Sequence, residues 1–122
     1  MAYILPLNQF KDARGTLTVV EKIIPFDIKR VYYIQHVDDG VRGGHRHKES
    51  IQALICISGS CVISNNNSEQ KDEFLLNSSN QCLILMPEDW HTMHTFSHDA
   101  VLLVLASTLY DKNDYIDEPY EN

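Results

Sequence analysis

The chain has 122 residues, 43% of them hydrophobic and 22% charged, and its net charge is −7. That length makes one domain, residues 1–122, with room for a single core. No apolar run is long enough to cross a membrane as a helix, and the acidic balance excludes the basic stripe that a nucleic-acid-binding surface needs.

The first residues, Met1 to Asn8, lack the basic region and long apolar core of a signal peptide, so the cytoplasm is the expected compartment. Helix signals are scarce: no stretch sustains apolar residues at i, i+3, i+4 and i+7 between caps. Strand signals are many. Thr16–Glu21 alternates and is β-branched, and Lys29–His36 is rich in β-formers. The stretch from Gly40 to His47 places His45 and His47 two residues apart, on one face of a strand. Ile51–Ile57 and Cys61–Ser64 flank the turn signal Ser58-Gly59-Ser60. Asn65–Ser68 reads as a polar loop. Asp72–Leu76, Gln81–Met86, His91–Phe96 and Ala100–Ser107 complete the strands. The runs Cys82–Met86 and Val101–Ala106 are continuously apolar, as strands covered on both faces are. Tyr110–Asn122 reads as a short helix or a surface arm. So many short strands indicate an all-β sandwich or closed barrel.

Cys56, Cys61 and Cys82 are odd in number and contain no CxxC, so they read as reduced packing residues and not as disulfides or a zinc–thiolate site. Residues 1–48 hold eight Lys/Arg against five Asp/Glu, and residues 49–122 hold two against twelve. The histidine pair lies in the positive part, which suits an anionic small ligand. The acidic part reads as solvated surface. His36, His94 and His98 have no polar companions at useful spacing and read as surface or edge residues. The bland alternative for His45 and His47 is the same, a polar surface strand.

Gly40, His45-x-His47, Gln52 and Gly59 together resemble the first cupin motif, and Gln81–Pro87 leading to Trp90-His91 resembles the second. Metal cupins carry His, His, Glu and His. Here neutral Gln52, a poor ligand for a hard divalent ion, stands at the Glu position, so no metal and no cofactor are expected. A narrower resemblance covers nearly the whole chain. Arg14–Glu21, Ile24–Ile34, Arg42–Lys48 with Gln52, and Ala100–Ser107 leading to Tyr110 and Asp114-Tyr-Ile116 are similar to the nucleotide-sugar 3,4-ketoisomerases of the FdtA/QdtA (WxcM-like) group. Arg46, between the histidines, and the acidic tail Asp117–Tyr120 depart from the group's pattern.

The resemblance implies a cupin (RmlC-like) jelly-roll barrel. It also implies a metal-independent isomerase acting on a dTDP-linked keto-deoxyhexose, dTDP-4-keto-6-deoxyglucose. The group forms homodimers with exchanged N-terminal strands, and Tyr3–Leu7 is the candidate exchange element. Histidine titrates near neutrality, so His45 and His47 are the candidate proton carriers, in either order. Gln52 would orient an imidazole or bond a sugar oxygen, and His91 or Tyr33 would join the polar wall. Arg30 and Arg42 are the candidates for the diphosphate. Tyr32, Tyr33 and Trp90 are candidates for stacking on base or sugar, with core packing as the alternative. Arg46 and Lys48 have the opposite strand parity and are expected to face outward. Competing functions are an epimerase or metal-dependent oxygenase in the same barrel, or a non-catalytic sugar-binding cupin.

Overall fold

The computed structural model describes all 122 residues. Twelve strands are joined by turns, and the only helical element is a single 3-10 turn, Lys112–Asp114. The strands are β1 (Tyr3–Pro6), β2 (Asn8–Asp12), β3 (Gly15–Val19), β4 (Arg30–Gln35), β5 (Arg42–His47), β6 (Gln52–Ser58), β7 (Cys61–Asn66), β8 (Lys71–Leu76), β9 (Gln81–Leu85), β10 (Trp90–His94), β11 (Val101–Ala106) and β12 (Tyr115–Ile116). One five-stranded sheet has the order β1-β9-β6-β11-β4, a second has β12-β5-β10-β7-β8, and β2 and β3 form a separate hairpin. All pairings are antiparallel. This is a jelly-roll sandwich, as the resemblance implies.

The two sheets differ in their burial pattern, and the sequence explains why. In the second sheet, Cys61, Ile63 and Asn65 of β7 point inward while Val62, Ser64 and Asn66 are half-buried on the outer face. Such alternation marks a sheet with one face on the core. In the first sheet, Gln52 to Cys56 of β6 and Cys82 to Leu85 of β9 are buried without a break. Leu54, Cys56, Leu83, Leu85, Leu102 and Val104 fill the space between the sheets. Ala53, Ile55, Cys82, Ile84 and Leu105 face the other way and are covered by Val20, Ile23, Ile24 and Phe26 of the connection after β3. The continuous apolar runs are thus strands with two buried faces. The three cysteines are free and buried.

Three expectations need adjusting. Strand β2 has no strand signal of its own and exists because it pairs residue for residue with β3, from Asn8–Val19 to Asp12–Gly15. The expected loop at Asn65–Ser68 begins later, because β7 runs through Asn66. Asn65 is buried there and its amide donates to Asp89 Oδ1 at 2.9 Å, a tertiary contact that outweighs its turn preference. The expected strand Thr16–Glu21 ends at Val19. The proposed exchange element, Tyr3–Leu7, supplies β1, which pairs with β9 of its own chain in this single-chain structure.

Candidate active site

Strand β5 carries the histidine pair inside the second sheet, between β12 and β10. The His45 and His47 ring centroids are 5.1 Å apart. Across the β5–β10 pairing, His91 lies opposite His45. Its ring is 5.1 Å from that of His45 and 6.2 Å from that of His47. The ring of Tyr115, on β12, packs edge-on against both His45 and His47 at 4.7 Å. Three imidazoles and a phenol therefore form one packed cluster.

A bulge sets this geometry. The β5–β10 register slips between His91 and Thr92, and Gly43 and Gly44 both have positive φ, +82° and +80°. A Cβ on Gly43 would sit 2.9 Å from the His91 carbonyl oxygen. Only glycine lets the two backbones approach that closely in that conformation. The slip also pairs Arg42 with inward-facing Met93, which brings Arg42 to the histidines' side despite its odd spacing from them.

The hydrogen bonds fix the tautomers. His47 Nδ1 lies 3.0 Å from Asp114 Oδ2, and His91 Nδ1 lies 3.1 Å from the Asp89 carbonyl oxygen. Both partners only accept, so each neutral ring carries its proton on Nδ1 and leaves Nε2 bare. Neither Nε2 has a partner within the protein, although both atoms are buried. Gln52 Nε2 donates to the Tyr32 hydroxyl at 3.1 Å, and Gln52 Oε1 is likewise unpartnered. Buried acceptors without donors cost free energy that folding alone does not return. A ligand rich in hydroxyl donors is the complement of such a wall.

Electrostatics keeps the rings neutral. Burial, with a smaller push from His47, brings His45 down to about 4. Burial also brings fully enclosed His91 down to about 3. His47 is lowered by burial too, but the Asp114 carboxylate beside it opposes the shift. Burial raises the Tyr32 phenol, which therefore keeps its proton.

Of the residues expected at the site, His45, His47, His91 and Gln52 are brought together. Arg30 lies beside them: its guanidinium covers the Tyr32 ring at 4.4 Å, and Nη1 donates to the Tyr115 hydroxyl at 3.5 Å. Arg42 stands exposed at the start of β5. Tyr33 is not part of the wall; it faces the opposite side of β4 and is 63% exposed. Strand alternation makes Arg30 and Tyr32 the inward pair, so Arg30 and Tyr33 cannot both point in. The same rule separates Trp90 from His91. Trp90 lies on the outer face and donates from Nε1 to the Asp117 carbonyl. Arg46 also faces outward, over the Tyr120 ring at 4.8 Å. Tyr32, expected as a stacking or core aromatic, bonds Gln52 inside the site, whereas Asp114 and Tyr115 were missed. Parity along β4 sets Tyr32 and Tyr33 on opposite faces without saying which looks inward, and nothing local marked Asp114 or Tyr115. No three His, Cys, Asp or Glu side chains come together in a metal-ligating arrangement.

The family model described as FdtA: WxcM-like, C-terminal, matches residues 2–122. The chain is 42% identical to the TDP-4-oxo-6-deoxy-alpha-D-glucose-3,4-oxoisomerase of Aneurinibacillus thermoaerophilus, over 98% of this chain and 87% of that one. Among solved structures, a 3,4-ketoisomerase from Helicobacter canadensis superposes with a TM-score of 0.92 at 42% identity, covering 96% of this chain and 90% of that one. A histidine-to-asparagine variant of the 3,4-ketoisomerase QdtA from Thermoanaerobacterium thermosaccharolyticum, in complex with TDP-4-keto-6-deoxyglucose, gives a TM-score of 0.92 at 42% identity, covering 96% and 87%. With its full-length match to the family model, its strand order and its paired histidines, this chain belongs to the FdtA, WxcM-like family.

Proposed function

We propose that this protein is a nucleotide-sugar 3,4-ketoisomerase acting on dTDP-4-keto-6-deoxyglucose, without a metal, through proton transfers by His45 and His47. The observation that carries this reading is the cluster of three neutral imidazoles, two of which hold a buried Nε2 with no partner in the protein.

The reaction moves the ketone from C4 to C3. C3 loses a proton and C4 gains one. The C3 hydroxyl loses a proton and the C4 oxygen gains one, so no net proton is consumed. The carbonyl acidifies the neighbouring C3–H, and an enediol forms between the two steps. One transfer runs from carbon to carbon and the other from oxygen to oxygen. Two imidazoles side by side on β5 can divide them. The Tyr32 hydroxyl accepts from Gln52 and still has its own proton to give, which makes it a donor for the developing oxyanion. The bare atoms of His91 and Gln52 would receive sugar hydroxyls. Arg30 and Arg42 supply positive charge beside the site for the diphosphate.

The test is incubation with dTDP-4-keto-6-deoxyglucose in deuterated buffer, followed by NMR. The expected result is deuterium at a ring carbon and a 3-keto product, unaffected by chelators. Binding of the nucleotide sugar with no exchange would mean a sugar-binding module. His45→Asn and His47→Asn should each keep the fold and lose turnover by about 100-fold or more. Wild-type rates in both would remove their roles.

The quaternary proposal is a cytoplasmic homodimer that exchanges N-terminal strands. Its support is the hairpin β2–β3, where the cross-strand partners Phe10 and Leu17 are 62% and 63% exposed in the single chain.

A further inference from the structure

The carboxylate of Asp114 enters the site from far along the chain and touches only one of the three imidazoles. Its Oδ2 is 3.0 Å from His47 Nδ1, and its Oδ1 accepts the Glu49 backbone N–H at 2.8 Å. Its own carbonyl accepts the Lys48 N–H at 2.9 Å. The backbone on the C-terminal side of β5 therefore pins the carboxylate in one orientation. The Asp114 side chain is 11% exposed and that of His47 is 4% exposed, so water competes little for the contact.

We propose that Asp114 is the positioning residue of this active site: it holds the His47 imidazole as the Nδ1–H tautomer and keeps Nε2 bare as the proton acceptor. The proposal rests on the ketoisomerase reading for its chemistry and on the Asp114–His47 geometry for its structure. When His47 Nε2 takes a proton from the substrate, the ring becomes cationic, and the adjacent carboxylate stabilises that charge until the proton is returned. His45 and His91 have no carboxylate in hydrogen-bond contact. The other groups facing His47 are Arg30 from β4, which opposes protonation, His45 on its own strand, His91 from β10 and Tyr115 from β12. Asp114 is thus the one group hydrogen-bonded to His47 that favours its charged form.

The pinned orientation makes Asp114→Asn a sharp probe. The amide oxygen would stay with the Glu49 N–H, which turns the NH2 group towards His47 Nδ1. That donor suits only the opposite tautomer, with the proton on Nε2, where it blocks acceptance from the substrate. The expected kinetic result is a kcat about 100-fold or more below wild type with KM within about 2-fold. Asp114→Glu, which keeps the charge, should recover part of kcat. The structural arm needs no turnover. In long-range 15N NMR of the ligand-free protein near pH 7.5, His47, assigned by its loss in His47→Asn, should show a protonated Nδ1 and a bare Nε2. In Asp114→Asn that pattern should invert.

A wild-type His47 protonated on Nε2, or an Asp114→Asn enzyme with wild-type kcat, would overturn the proposal. The wild-type spectrum decides even if the Asn variant does not fold. A wild-type protein that binds but never isomerises the sugar would sink the ketoisomerase reading, and the spectra would still decide what Asp114 does to His47.

Discussion

At the scale of single residues, the site depends on what is missing as much as on what is present. Gly43 has no side chain, and its α-carbon passes so close to β10 that a methyl group would press on the His91 backbone. Gly43→Ala should cost roughly 1–3 kcal/mol, since its φ of +82° strains any other residue. It should also slow turnover by moving His91. Urea unfolding and kcat measured on the same preparation check both effects. Gln52 shows the complementary logic. The residue is neutral and buried, and its amide donates to Tyr32 while its oxygen is buried without a partner. A carboxylate there would bring a negative charge into a wall that already consists of acceptors. The two bare imidazole nitrogens and the Gln52 oxygen call for donors, which a hexose has in its hydroxyls.

At the scale of elements, the site is built where three segments distant in sequence meet. Strand β5 brings His45 and His47, and β10 brings His91. The 3-10 turn and β12 bring Asp114 and Tyr115, with β12 pairing to His47 and Arg46. The C-terminal segment, read from sequence as a helix or surface arm, is thus the third wall of the site. The hairpin β2–β3 stands apart from both sheets. Its Gln9 amide is tied to Thr18 and Ser79, while Phe10 and Leu17 face solvent side by side. Exposed apolar pairs of this kind usually serve an interface. If the proposed homodimer uses this pair, wild-type protein should sediment as a dimer in analytical ultracentrifugation and the double substitution Phe10→Ser with Leu17→Ser as a monomer, with the sandwich still folded by circular dichroism. An unchanged dimer would place the contact elsewhere.

At the scale of the whole molecule, the buried histidines make stability depend on pH. Folding pushes His45, His47 and His91 below their usual value of 6.5, with His45 reaching about 4 and His91 about 3. Below about pH 6.5 the unfolded chain takes up protons that the folded chain refuses, which favours unfolding. This contribution is complete above pH 6.5 and is lost progressively as the pH falls towards 4 for His45 and towards 3 for His91. Asp114 is held below the usual carboxylate range by its backbone and His47 partners, although burial opposes the shift, so its share is lost only at lower pH still. The urea midpoint should fall between pH 7 and pH 5, and His45→Asn should flatten that slope. A midpoint that is level across this range would mean that the rings are not buried as neutral groups.

Much of this was written locally. Alternation placed His45 and His47 on one face and Arg46 on the other, and unbroken apolar runs marked β9 and β11 as strands covered on both faces. Both signals act between near neighbours, where the two-residue repeat of a strand sets side-chain direction. What the tertiary structure alone decided is which face of β4 looks inward, favouring Tyr32 over Tyr33. It also placed His91 inside and Trp90 outside, and it set Asp114 against His47 from 67 positions away. Such contacts arise when separate strands pair in one register, and a register belongs to the assembled sheets, where every buried face must be satisfied at once.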